Sequence, residues 1–305
     1  MLGKRLCLGD TIGLISPASP ENPDTIKKSI LFLKNQGFNV IEGTHLYDTW
    51  GYLAGKDKDR ASDVIEMFKN NAVDMILCIR GGYGSSRLLP YLDYDIIKNH
   101  PKIFAGFSDI TVFLNSFYEK CNLTTFHSPM GSSNLEDIET YNSFMFTLME
   151  GYKPYTIKNP SQFTTKCIVK GRVQGNLIGG NLGLICNTLG TPYEFDLKNK
   201  ILFIEEVNEE PYKVDRMLTQ LLLANKLQQC SGIILGQFKD CALPSYDRSL
   251  TLEEVFEDRL YDLGIPMFLG LCSGHDYPKL TLPIGAMVKM DTITGVINVI
   301  EAVVE

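Results

Sequence analysis

Short apolar segments alternate with longer amphipathic ones over the first 130 residues of the chain. The apolar segments have the length of buried β-strands and lie at residues 11–15, 38–41, 75–79 and 102–107. Apolar residues also recur every three or four positions, the spacing of a helix packed on one face, at residues 26–33, 61–68 and 110–117. Strands and helices that alternate in this order predict an α/β fold with a parallel sheet covered by helices.

The second half of the chain has a different pattern. Before it, the periodicity weakens and prolines accumulate, which is typical of a linker. The residues that follow combine glycine-rich turns with strands at 200–204, 233–235 and 296–300 and a helix at 214–224. A chain of 305 residues is long enough for two domains. We therefore predict an α/β domain at 1–145, a linker at 146–168, and a smaller, β-rich α+β domain at 169–305.

Composition and charge narrow the class of protein. Hydrophobic residues make up 44% and charged residues 21% of the chain, as in ordinary globular proteins. The 29 basic and 36 acidic residues give a formal net charge of −7 without a basic cluster, so we expect no nucleic-acid partner. No signal-peptide pattern and no apolar run of about 18 residues occurs, so we expect a cytoplasmic protein that does not contact a membrane.

The eight cysteines include no pair in a C-x-x-C motif, and several lie within apolar strands. This distribution indicates reduced, buried thiols rather than a disulfide framework or a zinc site. We expect the protein to need no metal ion and no other cofactor.

Ser108 lies where the strand ending at Phe107 meets the helix that begins near Asp109. A serine on such a turn projects its hydroxyl beside helix N–H groups that have no intrahelical partner, which suits a nucleophile next to an oxyanion site. The segment matches the G-x-S-x-G motif only in part, because Ile110 replaces the second glycine. The alternative is that Ser108 is simply the N-cap of the helix.

A serine nucleophile needs a base, and histidine has the side chain best suited to accept a proton near neutral pH. Of the four histidines, His45 and His100 lie in polar segments and are predicted to be surface residues. His127 ends an apolar strand, where a buried structural role is favoured and a role as the base is the alternative. His275 follows Gly274 in a loop between two apolar segments, which fits either a catalytic base or a surface histidine.

The base in turn needs a group that holds its tautomer and offsets the charge it gains. The apolar strand 200–204 ends on Glu205 and Glu206, either of which could supply a buried carboxylate. The alternative is that both glutamates are solvated, because the loop that follows is acidic. Alternation along the strand does not decide between the two residues.

Three groups of motifs occur in order along the chain. They are Arg80-Gly-Gly-Tyr-Gly with Gly106-Phe-Ser-Asp-Ile-Thr111, Phe203-Ile-Glu-Glu-Val-Asn-Glu-Glu-Pro-Tyr212 with Asp215-Arg-Met-Leu218, and Gly274-His with Thr281-Leu-Pro-Ile-Gly285. Together they resemble the signatures of the LD-carboxypeptidase family of serine peptidases, which also contains the microcin C immunity peptidases. Segments 9–19 and 175–182 add to the likeness, so the resemblance covers nearly the whole chain.

The resemblance implies a Rossmann-like, doubly wound N-terminal domain that carries the nucleophile and a smaller C-terminal domain that carries the other catalytic residues. It implies Ser108 as the nucleophile, Glu205 as the orienting carboxylate and His275 as the base. The oxyanion donors would be the backbone N–H group of Asp109 and that of one glycine of the Gly81–Gly82 pair, of which Gly82 is our choice. A homodimer is a further implication.

The activity implied by the resemblance is the removal of the terminal D-alanine from the murein tetrapeptide during cytoplasmic recycling of the cell wall. Recognition of a terminal carboxylate favours arginine, and Arg80 is the candidate, with a structural ion pair as its alternative role. A second peptidase function would be cleavage of a peptidyl-nucleotide antibiotic, as in microcin C immunity. A protein of another class would bind a nucleotide or phosphate at the 81–84 loop without catalysis.

Overall fold

The computed structural model describes residues 1–305 and divides the chain into two compact units. The first unit contains Met1–Lys153, Thr281–Gly285 and Ala302–Glu305, and the second contains Pro154–Leu280 and Ala286–Glu301. The elements up to residue 150 are β1 (Thr11–Ile15), α1 (Pro23–Asn35), β2 (Asn39–Glu42), α2 (Asp57–Lys69), β3 (Met75–Cys78), α3 (Tyr94–Asn99), β4 (Ile103–Gly106), α4 (Thr111–Cys121), β5 (Thr125–His127) and α5 (Ile138–Glu150). The later elements are β6 (Tyr155–Ile157), β7 (Lys166–Val169), β8 (Arg172–Asn181), α6 (Leu182–Thr188), β9 (Ile201–Val207), α7 (Pro211–Leu223), β10 (Gly232–Lys239), α8 (Leu252–Leu260), β11 (Met267–Leu269), β12 (Leu282–Ile284), β13 (Met287–Asp291) and β14 (Val296–Val299).

The first unit is built on a six-stranded sheet with the order β2-β1-β3-β4-β5-β12. Its first five strands are parallel, and β12 runs antiparallel to β5. The order 2-1-3-4-5 is that of a doubly wound α/β sheet, in which ligands bind in crevices outside the carboxyl ends of the strands. The predicted Rossmann-like N-terminal fold is therefore confirmed.

The local sequence accounts for the elements of this unit. Strands β3 and β4 contain only buried residues, as expected for central strands of a parallel sheet. Asn22 caps α1 by accepting a hydrogen bond from the backbone N–H of Asp24, and Pro23 occupies the first helical turn, as predicted. Gly37 follows the helix with a φ of 91°, a conformation that favours glycine and ends the helix.

Strand β12 is where the chain differs from the predicted division into two consecutive domains. Residues 281–285 fall within the predicted C-terminal domain, yet β12 pairs with β5 and belongs to the first unit. Leu282, Pro283 and Ile284 are all buried. The pairing satisfies the backbone groups at the β5 edge, which would otherwise be left without partners.

The second unit contains a mixed eight-stranded sheet with the order β6-β14-β13-β8-β9-β10-β11-β7. Its central strands β8, β9, β10 and β11 are parallel, and the remaining pairs are antiparallel. Helices α6, α7 and α8 interrupt the strands along the chain, so the unit is rich in β-structure but mixed, as predicted.

The segment predicted as a linker, residues 146–168, contains regular structure. It holds the end of α5, all of β6 and most of β7. Strands β6 and β7 form the two edges of the second sheet, and most of their residues are at least partly exposed. Edge strands of this kind lack the long apolar run by which a buried strand is recognised in a sequence.

A buried arginine connects three loops of the first unit. The Arg60 side chain donates hydrogen bonds to the carbonyl oxygens of Gly55, Pro17 and Gly84, at 3.2, 2.5 and 3.1 Å, and contacts Asp57 at 2.6 Å. Arg60 is only 1% exposed. Its removal would leave buried carbonyl groups without their donors.

We expect Arg60→Ala to lower the free energy of unfolding by about 3 kcal/mol, because buried acceptors and a buried cavity replace the guanidinium. Urea denaturation followed by circular dichroism measures the loss. Arg87→Ala is the matched control, because Arg87 also binds Asp57 at 2.9 Å but is about one third exposed. The control should unfold at nearly the wild-type urea concentration, and equal losses in both variants would contradict the assignment.

None of the helices combines the length and the apolar character needed to cross a membrane.

Candidate active site

Ser108 occupies a strained turn at the carboxyl end of β4. Phe107 is extended, Ser108 has a φ of 62°, and a short 3₁₀ turn at Ser108–Ile110 leads into α4. A non-glycine residue in the left-handed region is uncommon, and such residues concentrate at functional sites. The N-cap alternative for Ser108 is wrong, because a capping residue has an extended backbone and Phe107 holds that position.

The glycine loop after β3 lies against Ser108. A Cβ atom on Gly81 would lie 3.1 Å from the Oγ of Ser108, so the serine approaches a bare backbone. Gly82 has a φ of 107°, and a Cβ atom there would lie 2.4 Å from the Oγ of Ser19. Glycine is therefore required at 82 by both its backbone conformation and its surroundings.

The loop after β1 fixes this glycine loop. The backbone N–H of Ser19 donates to the carbonyl oxygen of Gly81 at 3.2 Å, and the Ser19 hydroxyl accepts from the N–H of Tyr83 at 3.1 Å. Loops from the carboxyl ends of β1, β3 and β4 thus meet around Ser108. This is the edge at which a doubly wound sheet forms its ligand crevice.

Asp109 ties the nucleophile turn to the same loop from the other side. Its buried carboxylate accepts a hydrogen bond of 2.7 Å from the backbone N–H of Ser85. Burial raises the pKa of the Asp109 carboxyl, and the Ser85 hydrogen bond opposes this increase. The backbone nitrogen of Asp109 would lie 3.3 Å from a Cβ on Gly81, so it faces the same narrow space as the hydroxyl.

His275 and Glu205 form a hydrogen-bonded pair in the second unit. The Nδ1 of His275 lies 2.5 Å from Oε2 of Glu205. Glu205 is on β9 and fully buried, whereas the His275 side chain is 15% exposed. A carboxylate at Nδ1 fixes the tautomer and directs Nε2 away from it, the arrangement needed for a catalytic base.

Gly274 allows the loop of His275 to come close to β9. It has a φ of 140°, and a Cβ atom there would lie 3.2 Å from Oε2 of Glu205 and 3.0 Å from the Cβ of Gln237. Gln237 also binds the loop, since its Oε1 accepts a hydrogen bond of 2.9 Å from the N–H of Asp276. Gln237 was not identified from the sequence, because an amide within a strand carries no chemical signature.

Glu206 has a separate set of partners. Its carboxylate accepts hydrogen bonds from Nδ2 of Asn181 at 2.6 Å and from the N–H of Gly183 at 2.9 Å, at the start of α6. Burial raises the pKa of the Glu206 carboxyl, and these hydrogen bonds oppose the increase. Both glutamates are buried, so the solvated alternative is wrong, and Glu205 is the one that contacts His275.

The two remaining candidates lie in the first unit. His127 is buried at the end of β5, with its ring 5.8 Å from that of Phe107 in an edge-to-face contact. Arg80 donates a hydrogen bond of 3.2 Å to the carbonyl oxygen of Pro20 and lies 4.0 Å from a carboxylate oxygen of Glu21. Its side chain is 43% exposed, so the ion pair leaves part of the guanidinium at the surface.

Ser108, Asp109, Gly82 and Arg80 belong to the first unit, and Glu205 and His275 belong to the second. No group of three or more histidine, cysteine, aspartate or glutamate side chains is arranged to hold a metal ion.

Sequence models of two domains match the chain. The LD-carboxypeptidase N-terminal domain matches residues 12–128, and the LD-carboxypeptidase C-terminal domain matches residues 174–290. A doubly wound domain with a partly exposed serine on a strained turn, followed by a domain in which a histidine contacts a buried carboxylate, is typical of a two-domain serine hydrolase. The chain belongs to the LD-carboxypeptidase family.

Individual relatives agree with this assignment. A probable murein peptide carboxypeptidase of Bacillus subtilis is 40% identical over 291 residues, which cover 95% of this chain and 91% of the relative. The structure of MccF in complex with glutamyl sulfamoyl guanosine has a TM-score of 0.91 at 29% identity, with 100% and 99% of the two chains covered. The muramoyltetrapeptide carboxypeptidase of Oxalobacter formigenes has a TM-score of 0.84 at 28% identity, with 94% and 97% covered.

Proposed function

We propose that this protein is a serine carboxypeptidase that hydrolyses the L,D-amide bond of the murein tetrapeptide and releases the terminal D-alanine. The observation that carries the proposal is the 2.5 Å contact between the buried Glu205 carboxylate and the Nδ1 of His275, in a chain of the LD-carboxypeptidase family. Burial of a carboxylate costs free energy, even beside the Nδ1 of an accessible histidine. The cost is explained if the carboxylate offsets the positive charge that the imidazole gains during turnover.

In the proposed reaction the Nε2 of His275 accepts the proton of the Ser108 hydroxyl as Oγ attacks the carbonyl carbon of the L-centre. The C–N bond to D-alanine breaks, and the imidazolium returns the proton to the leaving amine. Water then attacks the acyl-enzyme with His275 again as the base, which regenerates Ser108. The N–H groups of Asp109 and Gly82 would stabilise the tetrahedral oxyanion in both steps.

Arg80 is the proposed ligand of the substrate's terminal carboxylate. It follows β3 and precedes the glycine loop that lies against Ser108, so its guanidinium is at the same sheet edge as the hydroxyl. The partly exposed side chain and the long 4.0 Å contact with Glu21 leave donors for a planar carboxylate. The same family resemblance supports action in the cytoplasm and assembly as a homodimer. Light scattering would test the homodimer.

The proposal is tested by mass spectrometry of murein tetrapeptide after incubation with the purified protein. The expected product is the tripeptide together with free D-alanine. A peptide with L-alanine at the terminus is the matched control and should remain intact. An intact tetrapeptide after prolonged incubation with folded protein would contradict the proposed function.

The second candidate function is cleavage of a peptidyl-nucleotide antibiotic, which the close structural likeness to MccF supports. A direct comparison of kcat/KM on murein tetrapeptide and on a processed nucleotide antibiotic separates the two substrates. A higher value for the nucleotide would favour the immunity reaction. A non-catalytic nucleotide-binding protein would instead gain thermal stability from nucleotides and cleave neither substrate.

Gly81→Ala should reduce kcat by about tenfold, because its Cβ would displace the Ser108 hydroxyl by a few tenths of an ångström from the attacking position. The φ of Gly81 is outside the left-handed region, so alanine fits the backbone and the unfolding temperature should stay near that of the wild type. Tetrapeptide kinetics and thermal unfolding measure the two effects. A variant with wild-type kcat would show that the close approach is not needed.

A further inference from the structure

A buried lysine contacts the residue that precedes His275. Lys279 is 5% exposed and belongs to the same loop as His275. Its Nζ donates a hydrogen bond of 2.7 Å to the carbonyl oxygen of Gly274, the residue before His275. Lysine is rarely buried to this extent unless an opposite charge compensates it. The burial of this ammonium therefore indicates that a negative charge lies near it.

Glu205 is the opposite charge. Burial lowers the pKa of Lys279 to about 8, and the negative charge of Glu205 is the strongest of the influences that oppose this decrease. Glu205 is itself fully buried, and its Oε1 makes no hydrogen bond while Oε2 contacts His275. A buried carboxylate needs a cation whenever the neighbouring imidazole is neutral. Lys279 meets that need in the resting state.

The other charged groups that face Lys279 largely cancel. Lys239, at the end of β10, lowers the pKa of Lys279, and Asp276, in the same loop, raises it. These two residues form an ion pair at 3.3 Å, and both side chains are more than one third exposed. Solvent therefore screens them, whereas Glu205 is fully shielded. The ring of Tyr277 also lies near the ammonium, 4.6 Å from the Nζ of Lys279.

We propose that Lys279 is a positioning residue that provides the counter-charge of the Glu205–His275 pair and holds the histidine loop through Gly274. The inference rests on the proposed function, in which His275 is the base. With Lys279 charged, the Glu205 carboxylate has a nearby cation and holds the Nδ1–H tautomer of His275 before each attack. With Lys279 neutral, the buried carboxylate has no cation and the tautomer is held less firmly.

The sign of the resulting pH dependence follows from the lowered pKa. Lys279 is a cation below pH about 8 and a neutral amine above it. The rate of tetrapeptide hydrolysis should therefore fall as the pH rises through about 8. The fall should appear in kcat rather than in KM, because the buried Lys279 acts through the pair.

Lys279→Gln tests the proposal, because glutamine can still donate a hydrogen bond to Gly274 but carries no charge. We expect kcat at pH 7 to fall by about tenfold, with KM little changed and the alkaline decrease absent. The variant should thus behave at every pH as the wild type behaves above the transition. Lys239→Gln, which removes a nearby charge that solvent screens, is the matched control and should keep both the kcat at pH 7 and the alkaline decrease.

A lysine that only supports the fold would give a different result. Lys279→Gln would then lower the unfolding temperature and leave the alkaline decrease in place, and that outcome would overturn the proposal. We expect the unfolding temperature to fall under the proposal as well, because loss of the ammonium leaves the buried Glu205 carboxylate without its cation. The pH profile of kcat is therefore the measurement that separates the two outcomes.

A titration of the lysine side chains tests the charge pairing without reference to activity. NMR of ¹³C-labelled lysine should show one side chain that titrates near pH 8, and this signal should be absent from Lys279→Gln. Glu205→Gln should move the titration to lower pH, because the opposing negative charge is lost. No movement would overturn the inference even if the wild type proved inactive, whereas inactivity alone would contradict only the proposed function.

Discussion

Ser108→Ala is expected to lower kcat for tetrapeptide hydrolysis by about 10⁶-fold, to the level left by substrate binding and the oxyanion donors alone. The methyl group cannot form the acyl-enzyme, so His275 and Glu205 have no hydroxyl to activate. Mass spectrometry of the peptide and detection of free D-alanine measure the effect. The same experiment with hydroxylamine in the buffer should trap the acyl group from the wild type only.

Ser116→Ala is the matched control for the serine variant. Ser116 is buried in α4, the helix that follows Ser108, and its Oγ makes no hydrogen bond. Loss of this hydroxyl removes no interaction, so the activity and the unfolding temperature should stay close to those of the wild type. A Ser108→Ala variant as active as this control would exclude Ser108 as the nucleophile.

Much of the first unit could be predicted from the sequence because its core strands are short and continuously apolar. β3 and β4 are recognisable in this way, and the intervening helices keep their periodicity. The return of β12 to the first sheet could not be predicted, since strand pairing across more than 150 positions leaves no trace in local sequence. The edge strands β6 and β7 were missed because their residues are partly exposed.

The candidate site was predictable only where a residue's chemistry is distinctive. Local pattern alone favoured an N-cap over a nucleophile at Ser108, and the φ of 62° excludes the N-cap. It also left Glu205 and Glu206 equivalent, although one contacts His275 and the other Asn181. We selected Glu205 by resemblance to the LD-carboxypeptidase family. The family resemblance indicates which residues meet in the folded protein, whereas the order of residues along one strand does not.

His275→Ala is expected to be as inactive as Ser108→Ala, and the double variant should be no worse than either single one. Without the imidazole the hydroxyl keeps its proton, and without the hydroxyl the imidazole has no proton to accept, so each loss already removes the shared step. Single-turnover hydrolysis of the tetrapeptide by the three variants measures the coupling. Multiplied losses in the double variant would mean that the two residues act independently.

Glu205→Gln should cost less, about 10⁴-fold, because the amide still occupies the place beside Nδ1 but cannot offset the imidazolium charge. The matched control is Asp48→Asn, which alters the other imidazole–carboxylate pair of the chain, that of His45, at 2.8 Å. That pair is substantially exposed, so water replaces the lost partner and the rate should stay at the wild-type value. The difference in kcat between the two variants would then be explained by burial, because Glu205 is fully buried whereas Asp48 is not. A Glu205→Gln variant with wild-type kcat would mean that His275 needs no ionised partner, and the proposed triad would reduce to a serine–histidine pair.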